Sequence, residues 1–175
     1  MKFDPFNSRL CRDIRNDLSE SFMSSLQAGN LQISKDTAAK FGDNIEPYCQ
    51  EYIYSRLKRY EKVLTLAKNH DFKDVFRVAL HIWDEGLFFE VHEYLEYHWL
   101  RSSGNSKKVL QAMIRAAGTY VHLEQGNMKG AGKMSSKAID ALEAGREFLP
   151  AYLNLDLLLS KLRNLDPQPP KLSPP

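Results

Sequence analysis

Apolar residues recur at intervals of four along much of this chain, and glycine or proline bounds most of the recurring stretches. Between residues 12 and 28, for example, Leu18, Phe22 and Leu26 share one face of a helix, and Gly29 follows as a typical helix stop. No stretch shows the sustained alternation of apolar and polar residues that a half-buried strand needs. The sequence therefore predicts an all-α protein.

The same pattern predicts six further helices, at about residues 47–69, 73–85, 87–100, 107–125, 128–144 and 150–164. Residues 31–46 are predicted to form a loop with at most one short turn. The two helices that flank the short connection at Gly126-Asn127 should form an antiparallel pair, because so few residues cannot carry the chain elsewhere. We expect a compact antiparallel helical bundle with an N-terminal helical extension.

A chain of 175 residues has room for one core and an extension. We assign the extension to residues 1–70 and the bundle core to residues 71–165. The tail, residues 166–175, contains five prolines and is predicted to be flexible.

Composition excludes several classes of protein. With 43% hydrophobic and 26% charged residues, the chain is neither disordered nor a small disulfide scaffold. A net charge of +2 gives no reason to expect nucleic acid as a partner. Cys11 and Cys49 form no Cys-x-x-Cys motif, and free thiols in a reducing cytosol fit them best. Neither a signal peptide nor a membrane-spanning run is recognisable, so we expect a cytoplasmic protein.

The segment 87–100 carries the polar residues of greatest interest. At 100° per residue, His92 and Glu96 fall inside an apolar arc of about 160°, with Glu93 at its edge and Glu90 on the other side. His92 and Glu96 are thus predicted to be a buried i, i+4 pair. Because an unpartnered buried carboxylate is costly, Glu96 needs a partner.

The next predicted helix offers one. Gln111, Arg115 and His122 form the polar stripe of an otherwise apolar segment. Two polar stripes on adjacent apolar helices are expected to face each other. Arg115 would then pair with Glu96, Gln111 would bridge, and two imidazoles would lie near a carboxylate.

The run Phe-Phe-Glu-Val-His-Glu-Tyr-Leu-Glu-Tyr-His-Trp at residues 88–99 resembles the Phe-Phe-Glu-x-His-Glu-x-x-Glu-x-x-Trp signature of domain of unknown function family 309. Gln111, the Tyr-Val-His-Leu run at 120–123 and Gly126-Asn127 follow in the order of that family. The resemblance extends from about Val75 to Leu165. It implies an all-helical fold with the signature on a helix, and no established activity comes with it.

One hypothesis for the polar cluster is a metal site. His92, Glu96 and His122 would bind zinc, iron or manganese and leave room for water or substrate. Such a site suits metal-assisted hydrolysis or iron chemistry, with Glu93 as a general base. The pattern does not establish an enzyme, because the second histidine of His-Glu-x-x-His is missing.

Three other hypotheses stay open. A metal-free pocket could bind a small anion or metabolite, with Arg115 as its charged clamp and Trp99 as a wall. The cluster could be a purely structural network in which Glu96 accepts hydrogen bonds from His92 and Arg115. The chain could also be a helical protein-interaction module, although no repeat of about 34 residues is present.

Overall fold

A computed structural model describes residues 2–69 and 74–173. These residues form eight α-helices and one short 3-10 helix, and they contain no strand, which confirms the all-α prediction. The helices are α1 (Arg9–Ala28), α2 (Gln32–Ala39), α3 (Pro47–Asn69), α4 (Val75–Asp84), α5 (Phe88–Trp99), α6 (Gly104–Glu124), α7 (Met128–Ala144) and α8 (Leu155–Arg163), with the 3-10 helix at Arg146–Phe148. The predicted start of a helix at residue 73 and the predicted domain boundary after residue 70 lie outside the described residues.

The chain divides into two compact units, Met1–Asp71 and Phe72–Pro175. In the first unit, α1 and α3 run parallel. Cys11 lies beside Cys49 near the start of the two helices, and Phe22 stacks on Tyr60 eleven residues further along both. Gly29 ends α1 in the left-handed conformation, with a φ of 68°, as the sequence predicts.

Helix α2 differs from the predicted loop. It packs on α1 through small hydroxyl side chains rather than through apolar ones. The buried Ser34 Oγ lies 2.9 Å from Ser25 Oγ, which also accepts a hydrogen bond from the backbone N–H of Ser34. Apolar periodicity does not detect such a helix, because serine carries no hydrophobic signal.

An aromatic cluster occupies the core of the second unit. The ring of Trp83, at the end of α4, meets Phe88 of α5 and Tyr120 of α6 edge-on at centroid distances of 5.0 and 5.1 Å. Phe88 and Tyr120 stack at 4.9 Å. All three side chains are almost fully buried, so they join the first three helices of this unit.

The antiparallel pair of α6 and α7 is confirmed. A Cβ atom built on Gly130 would lie 2.6 Å from Nδ1 of His122, and one built on Gly118 would lie 3.2 Å from Cγ of Met134. The earlier residue of α6 thus contacts the later residue of α7, so the two helices are antiparallel. Glycines at these positions let the two helices approach closely.

The C-terminal helix is shorter than predicted. Asn154 caps α8 by accepting a hydrogen bond from the backbone N–H of Leu157, so the helix begins at Leu155 rather than near residue 150. The tail beyond it lies against α4 up to Ser173, with Leu172 buried. These contacts do not favour the flexible extension that the proline content predicts.

Candidate metal centre

Helix α5 buries a different face from the predicted one. Its buried residues are Phe88, Glu90, Val91, Tyr94 and Leu95. At 100° per residue, the centre of this face lies about 140° from the centre of the predicted arc. The prediction that Glu96 is buried is therefore wrong, and Glu96 is exposed.

The error has a physical cause. Apolar side chains surround α5, because Phe89, Trp99 and Leu100 lie on the opposite side from Val91 and Tyr94. A short helix with apolar residues on every side does not specify by its own periodicity which side faces the core.

The fully buried carboxylate of this helix belongs to Glu90, which the sequence pattern placed outside the apolar arc. Glu90 is the third residue of α5, in the first turn, where the backbone N–H groups and the helix dipole favour a negative charge. The enrichment of acidic residues in the first turn of a helix was the available sequence signal for this position.

The outward face of α5 carries a cluster of three metal-ligating side chains, His92, Glu93 and Glu96. One ligand atom from each lies within 4.8 Å of the others. The side chains of His92 and Glu93 are 33% and 40% exposed. The cluster is thus open to solvent and comes from one helix.

Contacts with its own helix orient His92. Its Nδ1 lies 3.2 Å from Oε1 of Glu93, and its ring lies parallel to that of Phe89, with 6.4 Å between centroids and 6° between planes. When Nδ1 donates its proton to Glu93, Nε2 is left as an acceptor. A carboxylate that receives this hydrogen bond is the usual outer partner of a metal-binding histidine.

His122 is not part of this cluster. It lies near the end of α6, where its Nδ1 is 3.1 Å from Nδ2 of Asn127, the residue that caps α7. Burial lowers the pKa of His122 below its ordinary value. The close approach to Gly130 places this imidazole at the contact between α6 and α7.

Arg115 and Gln111 are half-buried on α6. Within the part of the chain that the structure describes, neither one forms a hydrogen bond or an ion pair with Glu96, so the predicted pairing of Arg115 with Glu96 is wrong. The backbone carbonyl of Arg115 accepts a hydrogen bond from Thr119 Oγ1 at 3.1 Å. The predicted pocket wall, Trp99, has a cation beside it: Nζ of Lys107 lies 4.3 Å from the centroid of the Trp99 ring.

A separate groove of ≈ 290 Å³ lies between α7 and α8 and contains none of the predicted site residues. Its polar lining includes Ser136, Asp140 and Arg163. The guanidinium of Arg163 is paired with the carboxylate of Glu143. This pairing leaves the groove without an uncommitted cation for an anionic ligand.

Comparison with known proteins supports the sequence resemblance. Residues 76–134 match the family model described as Domain of unknown function (DUF309), a segment that begins in α4 and ends in α7. The cluster on α5 lies inside the matched segment. No curated protein and no solved structure gives a significant match. Within the described residues, every helix is too short or too polar to span a membrane.

Proposed function

Since residues 76–134 match the model of a family without a described activity, we propose a function from the site itself: this protein binds a divalent metal ion through His92, Glu93 and Glu96. The observation that carries the proposal is the convergence of three ligand atoms within 4.8 Å on one helix face. The ligand set differs from the one predicted from sequence, because Glu93 takes the place of His122.

The spacing along α5 supports shared coordination. Residues four apart on a helix lie one above the other, so His92 and Glu96 can reach a common ion. Glu93 either supplies a third donor or holds the imidazole through Nδ1 at 3.2 Å.

Local charge also supports a cation. Residues 81–100 contain neither lysine nor arginine, and two of their five acidic residues, Glu93 and Glu96, lie in the cluster on the outward face of α5. A surface of one sign attracts counter-ions of the other. An imidazole with carboxylates suits zinc, iron or manganese better than a ligand set of oxygen atoms alone would.

Three donors from one exposed helix face leave coordination positions for water or for a substrate. Catalytic zinc sites share this property, with three protein ligands and one exchangeable position. The proposed site is therefore open, and we expect exchangeable binding in the micromolar range rather than a permanently held structural ion.

The test is calorimetric titration of the tag-free protein, freed of chelator, with Zn²⁺, with Mn²⁺ and, under anaerobic conditions, with Fe²⁺. We expect one ion to bind per chain for at least one of these metals. His92→Ala and Glu96→Gln should each lower the affinity by more than about tenfold, and Glu93→Gln by about tenfold. All three side chains are partly exposed, so circular dichroism should show an unchanged helical content.

Two variants serve as controls. His122→Ala changes an imidazole outside the cluster, and Asp140→Asn removes an exposed carboxylate on α7. Both should keep the parental affinity. Loss of binding in His122→Ala, with Glu93→Gln unchanged, would instead identify His92, Glu96 and His122 as the ligands.

Absence of binding by the parent protein would contradict the proposal. Thermal stabilisation by inorganic phosphate that disappears in Arg115→Ala would then favour the small-anion pocket. Indifference to metal and phosphate, together with a specific co-purifying protein, would favour the interaction module.

A further inference from the structure

We propose that Cys11 and Cys49 are a disulfide-forming pair, a site at which a low-molecular-weight disulfide oxidises this protein and joins α1 covalently to α3. This inference concerns the N-terminal unit and is independent of the proposed metal site. Both thiols are free in the structure.

The geometry brings the two sulfur atoms together although 38 residues separate them in sequence. Sγ of Cys11 lies 4.0 Å from Sγ of Cys49, and both side chains are buried. A disulfide bond is about 2.05 Å long, so the sulfurs must approach by about 2 Å. Rotation of the two side chains together with a small shift of one helix can supply this movement.

The surrounding helices keep the pair in register. Phe22 stacks on Tyr60 with 4.2 Å between centroids, at the same offset along α1 and α3 as the two cysteines. The packing that fixes one pair thus fixes the other. These are also the only two cysteines of the sequence, so no other intramolecular pairing can compete.

The reaction proceeds by two exchanges. The thiolate of one cysteine attacks a sulfur of the small disulfide, for example oxidised glutathione, and releases one thiolate while a mixed disulfide forms. The second cysteine, as its thiolate, attacks the protein sulfur of this mixed disulfide and releases the second small thiolate. The two protons lost by the protein thiols are taken up by the two released thiolates. Overall, two protein thiols are oxidised and one small disulfide is reduced.

Burial controls the rate of this reaction. Removal from water and the neighbouring Cys11 raise the pKa of Cys49 to about 11, which disfavours its thiolate at neutral pH. Oxidation should therefore be slow in the folded protein and faster at alkaline pH. Air and brief contact with alkylating reagents should leave the pair unchanged.

The experiment measures the effective concentration of the two thiols. Full-length protein is equilibrated with graded ratios of oxidised to reduced glutathione, starting both from the reduced protein and from protein oxidised in denaturant and refolded. Acid then stops the exchange, alkylation in denaturant labels the remaining thiols, and mass spectrometry gives the amounts of the reduced, mixed-disulfide and doubly oxidised protein. We expect a form that lacks two hydrogen atoms and takes up no alkyl group, with an effective concentration at least about tenfold higher in the folded chain than in denaturant.

The variants Cys11→Ser and Cys49→Ser are matched controls, because each keeps one thiol in an almost unchanged volume. Neither can form the doubly oxidised species. The oxidised parent should retain its helical circular dichroism and melt at a higher temperature than the reduced parent. An effective concentration no higher in the fold than in denaturant, a predominance of disulfide-linked dimers, or loss of helicity on oxidation would overturn the proposal. Because one starting point is already oxidised, a slow reaction cannot conceal the result.

Discussion

The indole Nε1 of Trp83 donates a hydrogen bond to the backbone carbonyl of Pro170 at 2.9 Å, 87 residues further along the chain. The next residue, Asp84, accepts hydrogen bonds from the backbone N–H groups of Leu172 and Ser173 at 2.7 and 2.9 Å. Leu172 is only 1% exposed. The proline-rich tail therefore completes the core of the second unit.

Replacing Leu172 by Ala should lower the free energy of unfolding by about 2–4 kcal/mol, because the change removes a buried side chain and leaves a cavity. Urea denaturation followed by circular dichroism measures this loss. Gln168→Ala is the control, because the side chain of Gln168 is exposed. Its hydrogen bond to Asp166 is made by the backbone N–H, which the substitution keeps. Equal stability of the two variants would mean that the tail is not docked in solution.

Two glycines of α7 make a matched pair. Gly130→Ala places a Cβ atom 2.6 Å from Nδ1 of His122, so we expect a loss of about 1–3 kcal/mol despite the higher helix propensity of alanine. Gly132→Ala meets its nearest neighbour, Cδ1 of Leu165, at 3.9 Å, and should stabilise the protein by up to about 1 kcal/mol. Thermal denaturation of both variants gives the comparison.

The double variant Gly130→Ala, His122→Ala identifies the cause of the effect. If the imidazole is what the new methyl group meets, the two losses should be less than additive. Strict additivity would show that the loss in Gly130→Ala comes from another contact, such as Nδ2 of Asn127 at 2.9 Å from the new Cβ atom.

The free energy of unfolding should decrease in mild acid because two histidines, His98 and His122, bind protons less readily in the folded protein than in the unfolded chain. Burial lowers the pKa of His122, and burial together with the positive charge of Arg101 lowers the pKa of His98. Each folded-state pKa then lies below its unfolded value, so the unfolded chain binds more protons as the pH falls, and the free energy of unfolding falls with it.

Urea titrations between about pH 7.5 and about pH 5.5 measure this slope. His122→Gln and His98→Gln should each reduce it, and the double variant should reduce it further, because the two residues lie on different helices. A slope that neither substitution changes would contradict the assignment.

Asp74 should be important for the start of α4. Its Oδ1 accepts hydrogen bonds from the backbone N–H groups of Phe76 and Arg77 at 3.0 and 3.2 Å, and its Oδ2 accepts one from the hydroxyl of Tyr152 at 2.8 Å. Asp74→Ala should therefore cost about 1–2 kcal/mol.

Chemical denaturation compares Asp74→Ala with two variants. Asp74→Asn should lose less, since an amide oxygen can still cap the helix. Tyr152→Phe isolates the contribution of the hydroxyl. A loss in Tyr152→Phe that equals the loss in Asp74→Ala would assign the effect to the tyrosine contact rather than to the cap.

Much of the secondary structure could be predicted because its signals are local. Helices α3 and α7 have the predicted bounds, and Gly29 ends α1 as expected. Glycine at positive φ and proline at the first turn act on the backbone within a few residues. Helix α2 was missed because its contact with α1 is made by serines, whose burial depends on the neighbouring helix.

The candidate site was only partly predictable. The sequence identified His92, Glu93 and Glu96 as neighbours, because spacings of one and four residues fix proximity on a helix. It did not predict that Glu96 is exposed, that Glu90 is buried, or that His122 lies against Gly130. Each of these facts depends on which neighbour a helix face meets.

The sequence by itself thus determined that the chain is helical, where α3 and α7 begin and end, and which polar residues α5 carries. Only the tertiary structure decided how α5 is rotated about its axis, which carboxylate the core encloses, and that Cys11 meets Cys49. The physical reason is that backbone hydrogen bonds and helix caps act within a few residues, whereas burial is decided by packing between segments distant in the chain. When apolar side chains surround a helix, several rotations can bury similar apolar area, and the fit to neighbouring helices selects among them.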